Sequence, residues 1–258
     1  MKEKIKCPIC GNIDFPTKDH VPPKSCNNKK DVIRTFIFPS ETSCSRKTIM
    51  QGGLSFSYIC SNCNNNVLGH RVDKELANLF DTVLNSNDIQ ISWTGDINKL
   101  IKAVFGHILA TGDVYDKEMR KYINSDILPT HAHLYLFYYP YKNVFIIRDV
   151  VPLEHFLRTY SIRRMDDFKM ISCLYFYPLA FIVTDKDFYP LAIDLVELVK
   201  NGETSFILNK NSFTNILTGK ALPACWPCQI GTSDISDTVD AVVSGREGRN
   251  AQLVTIKR

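Results

Sequence analysis

The segment that decides the fold begins with CPIC (residues 7–10), continues through DHVPPK (residues 19–24) and ends with CSNCNNN (residues 60–66). Its two CxxC pairs have the spacing with which two thiolates bind one tetrahedral zinc ion while the backbone between them turns. We therefore predict one zinc site made by Cys7, Cys10, Cys60 and Cys63. A site closed by four thiolates has no open position for substrate, so its role is structural. The alternative is four buried or redox-active thiols, which the pairing and the basic, polar surroundings disfavour.

Residue types suited to phosphodiester chemistry lie between and directly after the cysteine pairs. Asp19 precedes His20, and Asn64 follows the last cysteine of the second pair. An imidazole beside a carboxylate can act as a general base near neutral pH. A carboxylate together with an amide oxygen from the start of a following helix offers a hard divalent cation two oxygen ligands. These parts suffice for metal-assisted hydrolysis of a phosphodiester.

The same series resembles an HNH endonuclease of the ββα-metal type, in the version framed by two zinc knuckles. The resemblance covers roughly residues 5–82 and includes VLGHRVDKELANLF at residues 67–80, which is expected to be a helix. It implies a β-hairpin that carries His20 and a helix that begins near Cys63. It also implies one catalytic Mg²⁺ or Mn²⁺ ion between them and an activity that nicks or cuts DNA.

Carried over residue by residue, the resemblance makes His20 the general base that deprotonates the attacking water. It makes Asp19 and Asn64 the catalytic residues that bind the Mg²⁺ or Mn²⁺ ion. The chain departs from the family pattern at the middle asparagine, where it has Ser55, with Ser57 nearby. A hydroxyl there can still orient the hairpin, but this role is open.

Three further side chains are candidate substrate-binding residues, namely Lys24, His70 and Arg71. Lys24 and Arg71 are expected phosphate contacts, with an ordinary solvated surface charge as the alternative for each. His70 competes with Asn64 for the metal position, but on a helix a residue six places further on points away from the same face.

The composition excludes a disordered or fibrous chain, because 258 residues with 45% hydrophobic and 22% charged side chains can bury a full core. The net charge of +4 is unevenly distributed. Residues 1–76 contain 12 Lys and Arg against 7 Asp and Glu, so the positive surplus belongs to the N-terminal part. Positive charge placed there can face the phosphates of DNA, the predicted partner.

We predict an α+β fold: a small zinc-stapled ββα-metal (HNH) domain over residues 1–80, followed by an α+β companion domain over residues 81–258. Apolar residues at helical spacing predict a helix over Ile97–Leu109, and a second short helix is expected around Asp116–Ile123. Runs rich in aromatic and β-branched residues predict strands in His133–Tyr139, Asn143–Val150, Ile171–Thr184 and Ser205–Leu208. The polar stretch from about Thr232 is expected to be a loose tail or a final edge strand.

The cysteine count indicates a reducing compartment. Nine cysteines are an odd number, and the start MKEKIKCPIC lacks the apolar core of a signal peptide, so we expect a cytoplasmic protein. The longest apolar stretch, Ile171–Val183, contains Pro178 and is shorter than the roughly 20 residues that cross a bilayer, so no membrane span is predicted. A third pair, Cys225 and Cys228, is compatible with half a zinc site, a redox pair or ordinary buried thiols, and the last is favoured.

These observations favour a metal-dependent HNH endonuclease that acts on DNA. The companion domain shows no DNA-binding motif, so we expect it to bind a protein partner or a small ligand, as the added domains of HNH proteins in bacterial defence against phage do. Two alternatives stay open: a zinc-ribbon module that binds nucleic acid or protein without cutting it, and a nuclease that acts on RNA.

Overall fold

The computed structural model describes residues 3–36, 45–112, 117–130, 132–140, 144–147, 171–184, 192–212, 238–244 and 252–257. Within them the chain combines helices with β-sheets, in agreement with the predicted α+β class. The third cysteine pair, Cys225 and Cys228, lies outside the described residues. No helix in the described part of the chain is long and apolar enough to span a membrane.

The strands are β1 Ile5–Lys6, β2 Ile13–Asp14, β3 Pro16–His20, β4 Val32–Phe36, β5 Ser45–Met50, β6 Ser55–Cys60, β7 Gln90–Thr94, β8 His133–Tyr138, β9 Val144–Ile147, β10 Ile171–Phe176, β11 Leu179–Thr184, β12 Ile193–Asp194, β13 Ser205–Asn209, β14 Thr238–Ser244 and β15 Gln252–Lys257. The helices are a π-helical segment Cys63–Val72, called the π segment below, and α1 Asp73–Asn85, α2 Ile97–Ala110, α3 Lys117–Ser125 and α4 Leu195–Lys200.

The N-terminal part has an antiparallel strand pair that carries His20 and a helix near Cys63, as the resemblance implied, although the two strands are not consecutive in the chain. Strands β1 and β2 form a short antiparallel ribbon on either side of the first cysteine pair. Strand β3 pairs antiparallel with β6, and two residues after β6 the chain enters the π segment, which continues directly into α1. The paired strands are followed by the helix, with His20 at the end of β3 and Cys63 at the start of the π segment, while β4 and β5 lie between β3 and β6 in the chain and belong to another sheet.

Helix α2 confirms the predicted helix over Ile97–Leu109 and is buried along almost its whole length. It begins at Asp96, whose side chain accepts a hydrogen bond from the backbone N–H of Lys99 at 3.0 Å, as an N-cap does. It packs against the π segment, α1, α3 and α4. Because so many elements contact it, α2 is the central helix of the described structure.

The predicted β-rich region contains strands at each expected place. The run Ile171–Thr184 is a hairpin of β10 and β11, in which the turn at Tyr177–Pro178 divides the apolar stretch. The polar tail contributes β14 and β15, which pair antiparallel with each other. Strand β7, which pairs with β13, was not predicted, although its alternating burial is typical of a half-buried strand.

A nine-stranded sheet within the described residues has the order β12-β8-β11-β10-β9-β14-β15-β4-β5. Strands β4 and β5 come from the N-terminal segment, and β4 pairs with β15 near the other end of the chain. The buried hydrophobic cluster is also continuous, since it includes Cys7, the residues of α1 and α2, and Leu208. Backbone pairing and apolar packing thus both cross residue 80.

Candidate functional site

The four predicted zinc ligands lie together in the structure. The sulfur atoms of Cys7, Cys10, Cys60 and Cys63 all lie within 4.8 Å of one another. The Cys10 and Cys60 sulfurs are 3.7 Å apart. Four sulfurs at a zinc–sulfur distance of about 2.3 Å form a tetrahedron with edges of about 3.8 Å. This cysteine tetrad is therefore compatible with one structural metal ion such as zinc.

The first cysteine pair is shaped by a tight turn and by helix α3. Gly11 has a φ of +81°, a left-handed conformation that favours glycine, and its N–H donates to the Cys7 carbonyl at 2.8 Å. The Arg120 guanidinium donates to the carbonyls of Ile9 at 2.9 Å and Cys10 at 2.6 Å. A Cβ at position 11 would collide with that guanidinium. Helix α3 therefore fixes the backbone of the first cysteine pair.

Hydrogen bonding among the tetrad cysteines moves their pKa values in opposite directions. Hydrogen bonding from Cys63, which outweighs burial, lowers the pKa of Cys7 to about 4. The hydrogen bond with Cys7 raises the pKa of Cys63, and burial raises the pKa of Cys60 and of Cys26, which lies outside the tetrad. Since metals bind thiolates, the lowered pKa of Cys7 favours a metal site at the tetrad.

A β-bulge in β3 sets the direction of the two predicted catalytic residues on that strand. The register of the β3–β6 pair shifts between Thr17 and Asp19, after which Asp19 lies opposite Phe56 and His20 lies opposite Ser55. Bulges re-aim side chains and are frequent beside active sites. Asp19 is only 6% exposed, and its Oδ2 is buried without a hydrogen-bond partner.

His20 is half-buried, and one ring nitrogen is held by the backbone. Its Nε2 lies 3.1 Å from the carbonyl oxygen of Gly52. Because a carbonyl only accepts, Nε2 bears the hydrogen, and Nδ1 of the neutral ring keeps its lone pair. Burial and the positive charge of Lys24 lower the pKa of His20. The side chain is therefore a neutral imidazole at pH 7, as a general base requires.

Asn64 joins the start of the π segment to β3. Its side-chain nitrogen donates to the Thr17 hydroxyl at 3.2 Å and to the Lys18 carbonyl at 2.9 Å. With both amide hydrogens used, the amide oxygen is left as an acceptor. The structure thus places Asn64 beside the two residues that directly precede Asp19. π-Helical turns are rare in proteins. Where single π turns do occur, they are often found at functional sites.

The loop after His20 is held by Asn28, a buried residue that the sequence did not single out. Its side-chain nitrogen donates to the Pro22 carbonyl at 2.6 Å and to the Leu54 carbonyl at 2.8 Å. Its oxygen accepts from the Leu54 N–H at 2.7 Å. Gly53 has a φ of +108°, and a Cβ there would collide with the Asn28 carbonyl. Asn28 therefore connects the loop after β3 with the start of β6.

The serines at the middle-asparagine position have different surroundings. Ser55 is buried directly across from His20, whereas Ser57 is exposed. The three candidate substrate-binding residues are all exposed, with Lys24 in a short 3₁₀ turn and with His70 and Arg71 near the end of the π segment. Lys24 follows His20 closely, while His70 and Arg71 lie at the opposite end of the π segment from Asn64.

A buried histidine from α2 faces Asp19. His107 is fully buried, with Nδ1 at 3.5 Å from the Asp19 Oδ2 and Nε2 at 2.9 Å from the Asp73 Oδ1. Burial opposes the charged ring, but the Asp73 and Asp19 carboxylates prevail and raise the pKa of His107 to about 10. The sequence analysis missed this residue. A signal was present, because His107 follows Val104 by three positions and so lies on the apolar face of the predicted helix.

We predict about one tightly held zinc ion per chain in protein purified without chelator. Cys63→Ser should lose most of the zinc and lower the unfolding midpoint, because removal of a ligand opens the tetrad. Cys26→Ala is the matched control, since it removes a buried cysteine outside the tetrad. Elemental analysis and thermal unfolding provide the measurements, and equal zinc retention in both variants would contradict this site.

We also predict that Asn28→Ala lowers the free energy of unfolding by about 2–4 kcal/mol, because it leaves buried backbone groups of Pro22 and Leu54 without partners. Urea unfolding measures the loss. Asn87→Ala, at an exposed asparagine, serves as the control and should change stability by less than about 0.5 kcal/mol. A similar small effect of both substitutions would show that Asn28 does not hold the loop.

Comparison with known proteins adds no further assignment. No protein-family model, no curated protein and no solved structure matches the chain. What the site does must therefore be argued from its own geometry and chemistry.

Proposed function

We propose that this protein is a metal-dependent HNH endonuclease that hydrolyses phosphodiester bonds in DNA. The observation that carries the proposal is the pair of hydrogen bonds from the Asn64 amide to Thr17 and Lys18. They connect the first turn of the helix to the strand that ends in Asp19 and His20. A predicted base and two predicted oxygen ligands thus belong to one junction between strand β3 and the π segment.

The donor set at this junction suits a hard divalent cation. Asp19 offers a carboxylate whose buried Oδ2 has no hydrogen-bond partner, and Asn64 offers an amide oxygen. Mg²⁺ and Mn²⁺ prefer oxygen ligands and commonly bind one or two protein carboxylates or carbonyls, with water and phosphate oxygens completing the shell. Asp19 and Asn64 are therefore the residues that would hold the ion. When bound there, it supplies positive charge that stabilises the phosphate and the leaving oxygen during cleavage.

The remaining residues divide the chemistry between them. His20 accepts a proton from the attacking water at Nδ1, while the Gly52 carbonyl fixes the ring through Nε2. Asn28 keeps the loop that follows His20 against β6, which prevents the imidazole from turning away with that loop. The cysteine tetrad joins the β1–β2 ribbon to the end of β6 and the start of the π segment, and it takes no part in proton transfer.

Charge and exposure support a nucleic-acid substrate. The N-terminal 76 residues have 12 basic and 7 acidic side chains. Lys24 is exposed four residues after His20, so a phosphate that reaches the base meets a cation nearby. Contacts of this kind give affinity without sequence preference, because they neutralise backbone phosphates.

We predict that the purified protein converts supercoiled plasmid to nicked or linear DNA with Mg²⁺ or Mn²⁺ and not with chelator. His20→Ala should reduce the rate by 100-fold or more, because a general base commonly contributes about 10²–10⁴-fold. Agarose gels of a time course measure the rate. His133→Asn is the control, since it removes a histidine in β8 and should leave the rate unchanged.

Three outcomes would redirect the proposal. Cleavage at full rate in His20→Ala would remove His20 as the base. Cleavage of single-stranded RNA and not of plasmid would identify an RNA nuclease. Inert protein that binds DNA with equal affinity in wild type and in the His20 and Asn64 variants would favour the binding module without catalysis.

A second prediction concerns Lys24. Lys24→Ala should weaken DNA binding and lower the slope of log affinity against log salt by about 0.9, the value for one lost phosphate contact. Binding is measured by fluorescence anisotropy of a labelled duplex, in a His20→Ala background that prevents cleavage. Lys200→Ala in α4 is the control. An unchanged slope in Lys24→Ala would show that Lys24 is an ordinary solvated surface charge and not a phosphate contact.

A further inference from the structure

Three elements converge on the buried ring of His107. Asp19 comes from β3, Asp73 is the first residue of α1, and His107 itself belongs to α2. The ring nitrogens lie 3.5 Å from the Asp19 Oδ2 and 2.9 Å from the Asp73 Oδ1. The site proposed above uses Asp19 but assigns no role to the other two residues.

In the described residues, three buried side-chain nitrogen or oxygen atoms have no hydrogen-bond partner. Two of these three atoms face each other at His107. They are the Asp19 Oδ2 and the His107 Nδ1, both shielded from solvent. Buried polar atoms are normally hydrogen-bonded, and exceptions call for an explanation. The two atoms have opposite polarity and are too far apart for a good hydrogen bond, so the ring holds the carboxylate mainly by electrostatic attraction.

The ring itself cannot move away, because α2 is packed tightly against the π segment. At Gly106, the residue before His107, a Cβ would collide with the Leu68 side chain of the π segment. The second ring nitrogen is anchored on Asp73, directly after the π segment ends. His107 is therefore fixed relative to the same helix that carries Asn64.

We propose that His107 is a positioning residue that orients the Asp19 carboxylate for the divalent ion. Its Nδ1 lies 3.5 Å from Oδ2 and so holds the carboxylate in one orientation, without a hydrogen bond that would compete with the ion. This inference rests on the proposed function, because Asp19 needs orientation only if it binds a metal. It also means that α2, which lies beyond residue 80, completes the metal site.

Two amide substitutions distinguish the contact of Nδ1 with Asp19 from the contact of Nε2 with Asp73. The asparagine amide nitrogen occupies the place of Nδ1, and the glutamine amide nitrogen occupies the place of Nε2. His107→Asn therefore keeps a donor towards Asp19, and His107→Gln keeps a donor towards Asp73. A merely structural role has no reason to distinguish them in metal affinity at equal stability.

The experiment titrates full-length protein with Mn²⁺ and measures the free ion by electron paramagnetic resonance. We expect His107→Gln to raise the Kd for Mn²⁺ by about 10-fold or more, the usual effect of losing a residue that orients a metal ligand. His107→Asn should raise the Kd less than His107→Gln does, because it keeps an N–H dipole towards Asp19 although it loses the charge of the ring. Zinc content and thermal midpoint are recorded for each variant, so that the Kd values for Mn²⁺ are compared between variants that are folded to the same extent.

The possible failures are distinguishable. If Asp19→Ala binds Mn²⁺ as the wild type does, the proposed metal site is wrong and the inference falls with it. If Asp19→Ala loses Mn²⁺ while His107→Gln binds normally, the metal site stands and the inference is overturned. Equal weakening in both amide variants, in step with lost stability, also overturns it.

A further variant covers the case in which neither amide substitution folds. Asp73→Ala removes the outer anchor of the ring and leaves His107 itself in place. We then expect a raised Kd for Mn²⁺ with the zinc content unchanged. An unaltered Kd in this variant would overturn the inference.

Discussion

The closure of the cysteine tetrad is the constraint on which the site depends. It joins residues that are 50 positions apart, as the contact between the Cys10 and Cys60 sulfurs shows. Closing a flexible loop of that length has an entropic cost, which a metal clip offsets in the folded state. Because β6 ends at Cys60 and the π segment begins at Cys63, the second knuckle also fixes the angle between strand and helix. The contact of Asn64 with Lys18 follows from that angle.

Helices outside the first 80 residues reinforce this junction from two sides. Helix α3 binds the carbonyls of Ile9 and Cys10 through Arg120, and Asn124 adds a hydrogen bond to the Ile9 carbonyl at 2.9 Å. Helix α2 brings Gly106 against Leu68 and His107 against Asp19. The unit that contains the cysteine tetrad is thereby supported by helices from beyond residue 80. Residues beyond position 80 therefore have a structural role at the site.

Local sequence signals predicted the parts of the structure that depend on neighbouring residues. The CxxC spacing identified the tetrad, and the apolar stripe identified α2, because each pattern is decided within a few residues. Asn28, Arg120 and the pairing of β7 with β13 depend on partners far along the chain, and a single sequence has no signal for such contacts. His107 is an intermediate case. Its place on an apolar helix face indicated burial, but its partners, Asp19 and Asp73, become evident only once three elements are packed together.

The energetics of the buried charges bear on why such a cluster is present at all. The free energy lost when an ion pair is desolvated is about as large as the free energy gained from the attraction between the charges, so a buried pair contributes little net stability. Apolar residues of similar volume often stabilise the protein equally well. An apolar side chain at position 107 would suit the surrounding core of α2 equally well. It would, however, leave the Asp19 carboxylate buried with no positive partner on its inner side. A histidine at this place therefore makes physical sense if the carboxylate must be held in one orientation, which is the requirement of a metal ligand and not of a core residue.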